Sequence, residues 1–257
     1  MRFVLGVENA RCRKGTYMSQ QEVRETVLEL GRGRHLRVYD TGARGADTLV
    51  VFWHHGTPNI GRPPEPRFAA AALLGVRRVL YDRPGYGGSS PAPGRDVASA
   101  ARYTAAVVGA LGIREFAGMA NPAPLQAAAA GRAAEERYEA DPQYDPEVFT
   151  PADQTALSGT WSWFEQVVGP ATAEGPGGLI GDDLAYVAPW GFELEEVAAP
   201  VLLLHGGEDR MVPASHGRWP GGRLTAALRL YPDEGHISVL TFGDAALAWL
   251  RERADAR

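Results

Sequence analysis

The residues of this chain with chemical potential sit in four short stretches, each beside an apolar run. His54-His55-Gly56-Thr57-Pro58 follows the run 48–53, and Asp82-Arg83-Pro84-Gly85-Tyr86-Gly87-Gly88-Ser89 follows the run 76–81. His205-Gly206-Gly207-Glu208-Asp209 continues the run 201–205, and Gly235-His236 stands 27 positions beyond Asp209. Histidines and carboxylates on turns are proton-transfer groups, and beside a hydroxyl or thiol they activate a nucleophile. His54 and His55 invite a metal reading, but no further His, Cys or carboxylate cluster has ligand spacing, so no metal is expected. The Gly85-Tyr86-Gly87 loop lacks the dinucleotide spacing, and no phosphate-binding glycine loop opens a helix, so no cofactor is expected. Ser89 and Ser90 read as turn residues.

Such turns need a rigid frame to hold them. Short apolar runs alternating with helical patterns predict a mostly parallel sheet covered by helices. Strands are expected at 35–40, 48–53, 76–81, 201–205 and 227–231, with a weaker one at 114–120. Helices are expected at 66–74, 97–111 (capped by Asp96) and 242–253. The stretch 122–196 is helical, polar and interrupted by prolines. It reads as a helical cap whose aromatics include Trp161, Trp163, Phe164, Trp190 and Phe192. Trp161 and Trp190 are candidates for the wall of a substrate pocket, although aromatics so spaced more often pack a cap onto a core.

The whole chain is 257 residues with 45% hydrophobic content and a net charge of −5, an ordinary globular composition with no electrostatic footprint for nucleic acid or an anionic membrane. A single cysteine, Cys12, excludes a disulfide framework. No run approaches the roughly 20 apolar residues of a membrane span. Residues 1–17 carry Phe3-Val4-Leu5 ahead of Arg11, Arg13 and Lys14, the reverse of a secretory signal. They read as a disordered extension, and the cytoplasm is the expected location. A small molecule is the expected partner; the sequence fixes no oligomeric state.

In order and spacing the four motifs resemble the α/β-hydrolase family, in particular its cap-bearing proline-iminopeptidase-like, epoxide-hydrolase-like and dehalogenase-like branch. The resemblance covers roughly residues 33–250. It implies a hydrolase core at 18–121 and 197–257 with the cap at 122–196. It also implies a nucleophile on a strained strand-to-helix turn, then an acid, then a histidine. Asp209 matches the acid and His236 the base, with Glu208 one position early. The His-Gly-Thr-Pro turn resembles the oxyanion loop, in which Gly56 permits the turn and the Thr57 amide donates. The loop 82–89 would buttress the site. Small esters or amides are the implied substrates.

One part of the pattern is missing. No Ser, Asp or Cys in the chain has glycine at both −2 and +2, and the slot reads Gly118-Met119-Ala120-Asn121-Pro122, with Ala120 where the nucleophile belongs. No further strand precedes the cap, so about one βαβ unit of roughly 30 residues is expected to be lacking. Alternatively, 122–140 serves as the crossover helix. Three readings follow: a hydrolase with its nucleophile lost or supplied unconventionally, a non-hydrolytic general-base enzyme, or an inactive binding protein, a pseudoenzyme. Without the missing strand, 114–120 must pair directly with 201–205 or leave a gap. Direct pairing is expected, since a gap exposes unpaired backbone groups.

Overall fold

The computed structural model describes residues 22–256 apart from 44, 46, 121–130 and 141–144. Residues 1–17, Asn121 and Pro122 therefore lie outside the described residues. The strands are β1 (Arg24–Gly31), β2 (Arg34–Asp40), β3 (Leu49–His54), β4 (Val76–Tyr81) and β5 (Ala117–Ala120) in one sheet, ordered β1-β2-β4-β3-β5. A second sheet holds β6 (Val201–Gly206) and β7 (Ala226–Tyr231), paired in parallel. β1, β2 and β4 pair antiparallel, whereas β4, β3 and β5 run parallel. The β1–β2 hairpin turns through Gly31-Arg32-Gly33, all three at positive φ, where flanking glycines spare the chain two of three left-handed penalties.

The central strands are buried on both faces, so their side chains divide the core by parity. Phe52, Val79 and Tyr81 pack with Leu36, Val38 and Val107 beneath helix α2 (Ser99–Ala110). On the opposite face Val51 and Val76 pack with Ala71 of helix α1 (Phe68–Leu73) and Leu247. Leu247 belongs to the C-terminal helix, numbered below. Asp96 does not cap α2 as expected. The N-cap is Ala98 without a side-chain bond, while the Asp96 carboxylate accepts from Arg102 at 2.9 Å and its carbonyl from the Ser99 amide.

Between β5 and β6 the described chain is helical: α3 (Arg132–Ala140), α4 (Pro151–Ser158), α5 (Glu165–Ala171) and α6 (Gly177–Val187), with short 3₁₀ turns. Helix α7 (Ala214–Arg223) connects β6 to β7, and α8 (Gly243–Asp255) ends the fold. No helix among the described residues is long and apolar enough to cross a membrane.

The expected pairing of β5 with β6 does not form. Among the described residues β5 bonds only to β3 and β6 only to β7. Leu247 packs α8 against Val51 and Val76 of the first sheet and Ala71 of α1. What remains between the strands is a cavity of about 470 Å³.

Candidate active site

β6 and β7 carry two loops past each other at their carboxyl ends, and glycine makes the approach possible. A Cβ at Gly206 would lie 2.4 Å from the carbonyl oxygens of Glu234 and Gly235, and one at Gly207 2.5 Å from that of Pro232. The contact is stitched by the Gly207 amide donating to Tyr231 at 2.7 Å and the Glu208 amide to Glu234 at 2.9 Å. Asp209 and His236 are thereby brought together. His236 Nδ1 lies 2.9 Å from Asp209 Oδ2. Asp209 Oδ1 accepts from the amides of Met211 and Val212 at 2.9 and 2.8 Å. An ionised carboxylate only accepts, so Nδ1 carries the proton and Nε2 keeps its lone pair. Glu208 is exposed and contributes only its backbone.

The loop bearing His236 is held from outside the core by Asp153, near the start of α4. Its Oδ1 accepts from the amides of Ile237 and Ser238, both at 2.8 Å, while Oδ2 accepts from the Thr150 amide and hydroxyl at 3.0 Å. Burial pushes this carboxyl up, but the amide donors from Ser238, Thr150 and Ile237 outweigh it and hold the group below the usual carboxylate range. Asp153 was not among the residues singled out from sequence. The Thr150-Pro151-Ala152-Asp153 capping box was readable there, but its second duty, toward residues 84 and 85 positions on, was not.

Ala120, at the carboxyl end of β5 and opposite His54 on β3, lines the same 470 Å³ cavity as Asp209 and His236. No described residue of that lining bears a hydroxyl or thiol. Gly56 and Thr57 are not part of it. Thr57 turns its hydroxyl to Asp182 at 3.2 Å and accepts from Arg83 at 2.7 Å. Trp161 is 1% exposed and packs with Trp163, Val167 and Ile237, so it walls no open space. Trp190 packs against Trp219 and Phe192 and donates from Nε1 to the Tyr186 carbonyl at 2.9 Å.

The loop 82–89 is tied down at both ends. Asp82 is fully buried and accepts from the amides of Gly61 at 2.6 Å and Gly88 at 2.8 Å; burial raises its pKa despite these bonds. His55 Nε2 accepts from the Arg83 amide at 3.0 Å, so its Nδ1–H donates to the Gly56 carbonyl at 2.8 Å. Burial, then the Arg83 charge, pushes the His55 pKa well below its ordinary value, and the same causes bring His54 down to about 4. Neutral and engaged on both nitrogens, His55 is a structural group. Arg83 and Arg95 both pair with Asp182 of α6, at 2.7 and 2.5 Å. Among the described residues no group of three His, Cys, Asp or Glu is placed to hold a metal.

The strand order, with an acid after one strand and a histidine after the next, can be set beside solved structures. A hydrolase from Pseudomonas aeruginosa PA01 superposes with a TM-score of 0.68 at 19% identity, covering 89% of this chain and 97% of its own. An α/β hydrolase fold protein from Chitinophaga pinensis gives 0.67 at 16% identity, covering 92% and 99%. The chain has the α/β-hydrolase fold. An enol-lactonase from Burkholderia xenovorans LB400 shares this hydrolase fold at a TM-score of 0.57 and 16% identity, covering 86% and 96%. No protein-family model matches the sequence, and no curated protein matches it either. Within an α/β-hydrolase fold, the carboxyl ends of the strands are where the reacting groups gather. Asp209, His236 and Ala120 stand there.

Proposed function

We propose that this protein hydrolyses small ester- or amide-type substrates without a covalent intermediate, using His236 as a general base toward water. One observation carries the reading: His236 is oriented by Asp209, with no partner at Nε2 among the described residues, in a cavity whose described lining holds no hydroxyl or thiol. Water attacks the carbonyl as His236 Nε2 takes its proton, and Asp209 stabilises the imidazolium. The tetrahedral intermediate then expels the leaving group, which takes the proton back, giving acid and alcohol or amine. The segment 122–196 acts as the cap, with Trp161 and Trp190 among its packing residues.

Ala120 in the lining favours a second reading, a binding protein that retains the pair without turnover. Hydrolysis of p-nitrophenyl acetate by the full chain separates them. The catalytic reading expects an acceleration of roughly 10²–10⁴-fold, the range of general-base catalysis, lost in His236→Ala. A serine-directed fluorophosphonate should leave the protein unlabelled. Stoichiometric labelling would show a covalent nucleophile, and background turnover unaffected by His236→Ala would favour the binding reading.

A further inference from the structure

The space between β5 and β6 has features that proton transfer at His236 does not use. Its walls are strand edges and apolar side chains, Trp53, Met119, Leu203, Val239 and Trp249 among them. At about 470 Å³ it lies within the range of roughly 300–1,000 Å³ typical of small-molecule sites. Arg67 also contributes to this wall, although it is only 4% exposed. Its Nη1 donates to Asp244 at 2.6 Å, while Nε and Nη2 have no hydrogen-bond partner among the described residues. The Trp161 ring covers the guanidinium at 5.0 Å. Gly243 makes room for it: a Cβ there would stand 2.8 Å from Nε and 3.0 Å from Nη2.

A buried guanidinium with two idle donors is costly unless something meets it. The Asp244 side chain is 55% exposed, so water screens its share of the compensation. The one carboxylate of the described lining, Asp209, has both oxygens engaged by Met211, Val212 and His236. The cavity therefore joins an apolar body to a positive, fork-shaped donor set, which suits a planar anion. We propose that it binds an apolar carboxylic acid, the hydrocarbon between β5 and β6 and the carboxylate drawn to Arg67. The proposal concerns occupancy and holds whether or not His236 turns substrate over.

Calorimetric titration of the full chain with decanoate, decanol and acetate tests this. Decanoate is expected to bind saturably and at least about tenfold more tightly than decanol, with acetate not binding. Arg67→Gln should erase that preference. Ala120→Trp, at an exposed position on the cavity wall, should abolish decanoate binding. Asp244→Asn removes a competing carboxylate and should tighten it. Equal affinity for decanoate and decanol overturns the proposal, as does a preference that survives Arg67→Gln or that depends on His236 alone. If Arg67→Gln does not fold, the other two variants decide: affinity unchanged by Asp244→Asn or by Ala120→Trp overturns it.

Discussion

Asp153 shows what one residue does here beyond its own helix. It is fully buried and satisfies two amides of the His236 loop together with the amide and hydroxyl of Thr150. Asp153→Ala orphans the Ile237 and Ser238 amides, each at roughly 1–3 kcal/mol, so urea unfolding should report a loss of about 2–6 kcal/mol. Asp153→Asn should recover part of it, because its carbonyl oxygen still accepts. The folded carboxyl sits below its ordinary value of 3.8, so its contribution is present above that pH and is lost as pH falls through the folded value. The glycine pair at the acid loop is equally unforgiving. Gly206→Ala would place a methyl 2.4 Å from two backbone oxygens, and should separate Asp209 from His236. Loss of the downfield Nδ1 proton resonance of His236 would check it; its persistence would show that the loops can give way.

At the scale of elements, the helices α3 and α6 meet through two buried acids. Asp183 of α6 is pushed up to about 8, first by burial and then by the hydrogen bond and charge of Glu135 on α3, which is itself 3% exposed. A raised carboxyl favours the fold while protonated, so this contact weakens as pH rises from the ordinary value of 3.8 toward 8. His54 and His55 work in the opposite sense. Their depressed pKa values make stability fall as pH drops below 6.5, with His54 charging near 4. Melting temperature against pH should therefore decline on both sides, and Asp183→Asn should flatten the alkaline limb alone. An unchanged alkaline limb in that variant would assign the decline to other groups.

The strands β2 to β4 were legible from apolar runs because their side chains are core on one or both faces, and β6 and β7 from apolar runs alone, since Leu228 and Leu230 of β7 are exposed. β1 was not, because Arg24, Glu25 and Glu29 give an edge strand with mostly exposed side chains no apolar signature. Asp209 and His236 were legible by type and order, and the structure brings them to 2.9 Å. Arg67 was not, because its meaning depends on Asp244, 177 positions away, and on the space beside Gly243. The open interval between β5 and β6 is one of the two alternatives that the sequence leaves, and pairing between strands about 80 positions apart is a tertiary property that apolar runs do not encode.

For the whole molecule, the break leaves two separate sheets with no continuous ladder between them among the described residues. Native-state hydrogen exchange should resolve them. Amides of β3 and β4, bonded on both sides, are expected to exchange only by global opening. Those on the edges of β5 and β6 that are unpaired among the described residues should exchange orders of magnitude faster, and β6–β7 should open with α7 at a lower free energy than the first sheet. Uniform protection across β3, β4 and β6 would contradict this picture.

The same break makes the protein a recipient for grafting. Ala120 ends a strand beside an interval whose two edges are unpaired among the described residues, and His236 already stands in the adjoining space. A strand–turn–helix module bearing a serine at its turn, spliced in after Ala120, would find both edges waiting for its backbone and a histidine waiting for its hydroxyl. Such a chimera should gain fluorophosphonate reactivity that the parent lacks, and it should melt at a higher temperature. In that sense the interval is a slot, in which a covalent nucleophile would belong to the insert and the Asp209–His236 pair to the host.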